Sequence, residues 1–407
     1  MSIFPSDWRS LRAKYLYRVV DERDGGAPLP LLAVSIHHGV VSRESLTGDE
    51  PRADDLSHYK RCAAGDIVIN RMRAFQGAIG MAPTSGIVSP DYLVLRLREG
   101  LEPRYFHHLF RSTWFVGQIT ARLRGIGSSD QGNVRTPRIN VEDFGEIEVA
   151  IPSVGEQVQI AEFLEAEIAR IDSLVKKKRR MVAALAERRT SVTAEHLGAD
   201  TWPHVKLSLV ARLGSGHTPS RERLEWWERC TIPWITTGDV AQMRDDRIEF
   251  IWETRFKISE LGLANSAAEL HPAGTVVLSR TASVGFSAIM GEPMATSQDF
   301  ATWTCGPKIE PRFLLLCLRA MRSDLLGRLS MGSTHKTIYM PDIEAIRIPM
   351  PPRDEQSAIV RAVWERLGPI DETIERLERQ IDLLREHRQA LITAAVTGDL
   401  AVAKAAA

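Results

Sequence analysis

The chain has 407 residues, enough for two to three domains, and 44% of them are hydrophobic. Basic and acidic residues balance at 52 each, which argues against a polybasic tail or a nonspecific nucleic-acid coat but leaves room for a local basic face. Cys62, Cys230, Cys305 and Cys317 have no C-x-x-C spacing, and no apolar run reaches spanning length. A zinc ribbon, a disulfide framework and a membrane span are therefore not expected, and a cytoplasmic chain is.

In chain order, residues 1–150 read as a compact α/β domain. Short apolar or β-branched runs at Leu31 to Ile36, Asp66 to Ile69 and Tyr92 to Leu97 predict strands. Pro103 to Ile119 has helical period, with Tyr105, Phe106, Leu109, Phe110 and Phe115 on one side. Gly125 to Arg138 is glycine-rich and polar, hence a loop, and Val149 to Pro152 closes the domain as a strand.

Residues 151–199 predict a long helix. Leu164, Ile168, Ile171, Val175, Lys178, Val182, Leu185, Arg189 and Val192 follow the alternating spacing of a coiled-coil seam, with Lys178 and Arg189 as breaks. The run KKKRR at 176 to 180 reads as a solvated helix face. Residues 200–347 form a second globular region, and 348–400 a second long helix. Its seam is Val363, Leu367, Ile370, Ile374, Leu377, Ile381, Leu384, Arg388 and Leu391. Gly368-Pro369 predicts a break or kink there, and 401–407 a frayed tail.

The second half repeats the first. About 199 residues separate Ile160 from Ile359, Ile171-Asp172 from Ile370-Asp371, and Arg189 from Arg388. The globular regions match as well: GDIVINR at 65 answers GTVVLSR at 274, VSPDY at 88 answers TSQDF at 296, and LEPRYF at 101 answers IEPRFL at 309. The order of the matches holds, so a duplicated unit of about 200 residues is expected. The fold class expected is α+β: two globular α/β domains separated by a pair of long antiparallel helices. About 40 helical residues span roughly 60 Å, which holds the two domains apart. Such a shape suits a bipartite target, with a protein-clamping coiled-coil scaffold as the alternative.

Little in the chain points to catalysis. It has no amino-methylation tetrad and no phosphate loop. Pro90-Asp91 and Pro341-Asp342 lack the rest of a nuclease motif. The pairs His37-His38 and His107-His108 lack metal-site spacing and read as structural or surface residues. Glu156-Gln157 and Glu355-Gln356 read as helix N-terminal residues. The groups suited to base edges and phosphates fall in clusters. In the first domain these are Arg71, Arg73 and Gln76 after a strand, and Ser128, Ser129, Asp130, Gln131, Asn133 and Arg135 in the polar loop. In the second they are Arg280, Thr281 and Ser283 after the matching strand, Ser333, Thr334, His335 and Lys336 in its loop, and His217, Thr218 and Arg221.

The P-x3-E-Q openings, the Ile-Asp pairs and the ending at Glu386 to Gly398 resemble the helical regions of type I restriction–modification specificity subunits. GSGHTPSR at 214, IPWITTGDV at 232 and the strand ending at Arg280 resemble that family's target-recognition domains. The resemblance covers nearly the whole chain, except that the first helix ends in AEHLG where the second has TAAVTG. It implies that each domain reads half of a split double-stranded DNA target while the helices set the gap. It also implies two modification subunits and restriction subunits as partners, with S-adenosylmethionine, ATP and Mg on those partners and no cofactor on this chain. A specificity subunit of another methylase–nuclease assembly fits the same residues.

Overall fold

The structure is a computed structural model and describes residues 4–23, 29–47, 56–123, 137–198, 201–281, 283–331 and 336–402. The chain divides into two compact units that differ from the linear segments: Met1–Lys178 with Arg379–Ala407, and Arg179–Glu378. Each unit takes one globular region and a part of each long helix.

In the first unit an antiparallel sheet runs in the order Tyr17–Val20, Leu93–Leu97, Ile67–Ile69, Ile79–Met81. Ile67 opposite Leu95 and Ile69 opposite Leu93 put apolar side chains on the face that meets the helices. The expected helix from Pro103 to Ile119 is two helices, Pro103–Arg111 and Thr113–Thr120. Ser112 between them is extended, and its hydroxyl accepts the N–H of Phe115 at 3.2 Å, so it caps the second helix instead of continuing the first. Tyr105, Phe106, Phe110, Phe115 and Phe144 are fully buried there, each worth about 1.5–3 kcal/mol relative to exposure. The same core takes Ile160 and Leu164 from the first long helix and Ile392 and Val396 from the second. Val402 packs in it too, so fraying does not begin at 401.

The second unit repeats the plan. Its sheet runs Ala211–Ser215, Phe300–Cys305, Val276–Ser279, Ser287–Met290, with Phe250–Ile251 added parallel at the edge. Val276–Ser279 answers Ile67–Ile69, and each lies between the corresponding neighbours, as the repeat predicts. Helix Pro311–Ala320 covers this sheet as Pro103–Arg111 covers the other. The closing strand pairs also match, Arg9–Arg12 with Glu148–Ile151 and His204–Lys206 with Arg347–Pro349. Val192 and Leu197 of the first long helix and Val360, Val363 and Leu367 of the second enter this core. The differing end of the first helix copy therefore still packs.

The long helices are Val154–Leu197 and Arg353–Thr397. Ser153 and Glu156 cap the first reciprocally: Glu156 accepts from the Ser153 N–H at 3.0 Å, and the Ser153 hydroxyl from the Glu156 N–H at 3.4 Å. Gly198 and Gly398, at φ 55 and 83, end the helices in the left-handed conformation that glycine adopts without penalty. The second helix continues through Pro369, contrary to the break expected. Proline forfeits one N–H bond, but Leu367 and Ile374 on either side are buried, and that packing holds the helix through it.

Inside each unit the two helical parts run antiparallel. In the first, Asp172 meets Arg388 at 3.4 Å while Lys178 donates to Gln380 at 2.6 Å. In the second, Arg189 meets Asp371 at 2.6 Å. The polar breaks in both seams are thus cross-helix partners. The rest of the KKKRR run is exposed, as a solvated face should be.

Candidate nucleic-acid interface

Each sheet ends in an arginine that fastens the far side of the polar loop. In the first unit Arg71 follows strand Ile67–Ile69. Its carbonyl accepts the Ile139 N–H at 3.2 Å, its Nε donates to the Ile139 carbonyl at 3.1 Å, and its guanidinium reaches Asn140 Oδ1 at 3.1 Å. In the second unit Arg280 holds the same place, and its carbonyl accepts the Ile338 N–H at 2.8 Å. Thr281 forms a β-bridge with Thr337. The described flank of each loop, at Ile139 and at Ile338, therefore lies against the arginine that follows the strand.

Arg71 is half-buried and committed to the chain, so its part is to position the loop's flank. Arg73 and Gln76 are exposed on the turn that follows. Arg73 and Arg43 lie close enough to Tyr92 to oppose the upward shift that burial imposes on its phenol. Residues Ser128, Ser129, Asp130, Gln131, Asn133 and Arg135 lie outside the described residues, as do Ser333, Thr334 and His335. Lys336 is described and exposed.

In the second unit a further segment joins the face. The His217 N–H donates to the Thr296 carbonyl at 3.0 Å. That approach requires Gly216, where a Cβ would lie 2.0 Å from the Thr296 oxygen. The Thr218 hydroxyl donates to Gln298 Oε1 at 2.7 Å, and Arg280 Nε donates to the Gln298 carbonyl at 3.0 Å. Thr281 donates to Asp299, which also accepts from Ser297 at 3.0 Å. Ser283 is half-buried beside this group. His217 and Gln298 are exposed on it, and Arg221 and Lys336 are exposed as well. Gln298 was not singled out from the sequence, although it occupies the third position of the repeated TSQDF motif.

The histidine pairs divide. His37 and His38 are exposed, whereas burial drives His107 well below its ordinary value and His108 down to about 4. The Met81 N–H donates to His107 Nδ1 at 3.1 Å, which fixes a structural role. Near them Arg111 donates to the Ile36 and His37 carbonyls at 3.0 and 2.8 Å. Arg319 does the same for Asp246 and Ile248 at 2.7 and 2.5 Å, and burial lowers both guanidinium groups to about 10.

Residues 199–385 match the model of the type I restriction modification DNA specificity domain. The MjaIX type I restriction enzyme specificity subunit of Methanocaldococcus jannaschii is 27% identical over 188 residues, 46% of this chain and 41% of that one. The EcoR124I/EcoR124II specificity subunit of Escherichia coli is 25% identical over 183 residues, 44% of each. The chain thus spans less than half the length of these curated relatives. Among solved structures, a chain from a study of type I R-M complex assembly and conformational transition aligns over 98% of this chain and 99% of its own, with a TM-score of 0.72 at 20% identity. The HsdS subunit of Thermoanaerobacter tengcongensis aligns over 98% of both chains, with a TM-score of 0.50 at 21% identity. At these identities the structures show the fold: α+β, with long helices. By these likenesses, residues 199–385 are similar to a type I restriction modification DNA specificity domain, and the chain as a whole shares the fold of the solved chains.

Proposed function

We propose that this chain is the DNA sequence-specificity subunit of a type I restriction–modification complex. One globular region reads each half of a split, asymmetric target, and the paired helices set the gap between the halves. The carrying observation is the polar group at the sheet end of the second unit, where Arg280 and Thr218 meet Gln298, with Arg71 at the matching place in the first. Base reading needs such donors and acceptors held in a fixed frame, with cations alongside for phosphate. The domain match over residues 199–385 supports the same reading. The helices also dock two modification subunits, and restriction subunits join them. S-adenosylmethionine, ATP and Mg belong to those partners, so this chain supplies the address and its partners the chemistry, in the cytoplasm.

The test is an adenine-methylation map of the host genome with and without the gene, together with duplex binding by the purified chain. One split motif should lose its methylation, and affinity should fall steeply with salt, by a log–log slope of about −0.9 for each phosphate neutralised. Unchanged methylation together with no salt-sensitive duplex binding overturns the proposal in favour of a scaffold.

A further inference from the structure

We infer that Gln298 is a specificity-determining contact of the second unit, with its carboxamide N–H groups aimed at a hydrogen-bond acceptor on a base edge. The inference rests on the DNA-reading function proposed above.

Gln298 stands at the tip of a turn that is locked on both sides. Ser297 is 3% exposed, its hydroxyl accepts the Asp299 N–H at 3.4 Å, and Asp299 is held in turn by Thr281 and Ser297. Arg280 holds the Gln298 carbonyl. The side chain is exposed, yet it is not left to sample rotamers freely. Thr218 takes one lone pair of its Oε1 at 2.7 Å, so the two N–H donors of Nε2 dominate what it offers outward. Fixing an exposed glutamine ordinarily costs rotamer entropy, and part of that cost is met here before any ligand arrives. A tip that offers donors selects acceptors: purine N7, guanine O6 or thymine O4 in the major groove. It rejects the cytosine N4 donor.

The first unit builds the same turn with a different tip. The Ser89 hydroxyl accepts the Asp91 N–H at 3.4 Å, as Ser297 does for Asp299, but Pro90 stands where Gln298 does. Proline offers no side-chain donor. Two units of one chain therefore share a frame and differ in the group presented from it, as expected when the two halves of a target differ. His217, exposed on the segment that bears Thr218, can meet a phosphate and leave the tip for a base.

The experiment selects duplexes from a random pool with the full chain, wild type and variants, and measures salt slopes on the winning sequence. Gln298→Ala should flatten the preference at one position of one half-site, with roughly tenfold loss of discrimination there. The other half and the salt slope should not change. Gln298→Glu should turn that position toward cytosine. Thr218→Val, which keeps Gln298 but releases it, should relax the same position, and Thr218→Ser should restore it. Urea midpoints equal to wild type establish that the variants fold. An unaltered preference in Gln298→Ala overturns the inference. So does uniform weakening on all sequences with a salt slope reduced by about one, which marks a phosphate contact. If the wild type itself selects no sequence, the DNA-reading proposal falls and this inference with it.

Discussion

Gln356 Oε1 accepts the backbone N–H of Glu310 at 2.8 Å, at the point where helix Pro311–Ala320 starts. Its amide donates to the carbonyls of Lys308 and Pro351, each at 3.0 Å. Gln157 does the same work for Glu102 and Pro152 at 3.1 and 3.0 Å. Both glutamines are buried, so no water stands ready to replace them. Gln356→Ala should cost about 2–4 kcal/mol, because each buried group left unpaired costs about 1–3. Urea denaturation reads this directly, and a loss below about 0.5 kcal/mol would contradict the bracing role.

The two cross-helix pairs should respond unequally to the same change. Side-chain exposure is 10% and 16% in Arg189–Asp371, against 25% and 59% in Arg388–Asp172. Removing Asp371 strands the Arg189 charge in the interior, at about 3–5 kcal/mol. Asp172→Ala should cost less than about 1 kcal/mol, since water solvates what remains. Equal losses in the two variants would contradict this account.

Gly216→Ala should damage the second recognition face selectively. The added methyl meets the Thr296 carbonyl at 2.0 Å, and a backbone oxygen cannot swing aside. The segment bearing His217 and Thr218 must move, so sequence preference in one half-site should be lost while preference in the other half persists. A variant with both halves intact would show that this close approach is dispensable.

Acid should loosen the first unit before carboxylates protonate. Burial is the largest cause of the His108 shift to about 4, followed by the charge of Arg111. A histidine with a depressed folded value is neutral in the native state, so the unfolded chain binds the proton more readily. Stability is then flat above about pH 6.5 and falls as pH drops toward about 4. At about 1.36 kcal/mol per unit the loss approaches about 3 kcal/mol over that window. His108→Leu should lessen the fall of the urea midpoint across it while buried His107 keeps part of the response, and an unchanged slope would assign the acid response elsewhere.

If the helices act as a ruler, one added helical turn near Ala183 and another near Asp382 should lengthen the gap by about 5.4 Å. That is one to two base pairs at about 3.4 Å each, with both half-sites unchanged. Methylation mapping of the folded variant checks it, and an unaltered gap would remove the ruler.

The duplication, the long helices and the strands carrying Ile67 and Val276 were legible in the sequence because periodicity and motif order are local properties. The seam positions were legible too, including Lys178 and Arg189 as breaks. Their partners were not: the repeated Ile-Asp pairs mark Asp172 and Asp371, but that these carboxylates meet Arg388 and Arg189 depends on how two distant stretches align. Ser112 was read through as helix interior, since apolar period ran past it and its capping bond is a tertiary outcome. Pro369 was read as a break from local cost alone, whereas packing at Leu367 and Ile374 decided the matter. For the candidate face, residue type picks out Arg280 and Thr218, both of which bond to Gln298 in the structure. It passes over Gln298 itself, because the Thr218 bond and the turn beneath it are tertiary outcomes.

The Tyr105 hydroxyl donates to the carbonyl of Val396, across 291 positions of chain. A ribosome makes these residues far apart in time. The second unit, one continuous stretch from Arg179 to Glu378, can close once it has emerged. The first cannot, because Ile392, Ala395 and Val396 in its core are synthesised only after the whole of the second unit. Until then its N-terminal portion waits with that apolar surface uncovered, a natural client for a holdase chaperone. Premature termination after about residue 378 should thus spare the later-made unit and abandon the earlier one.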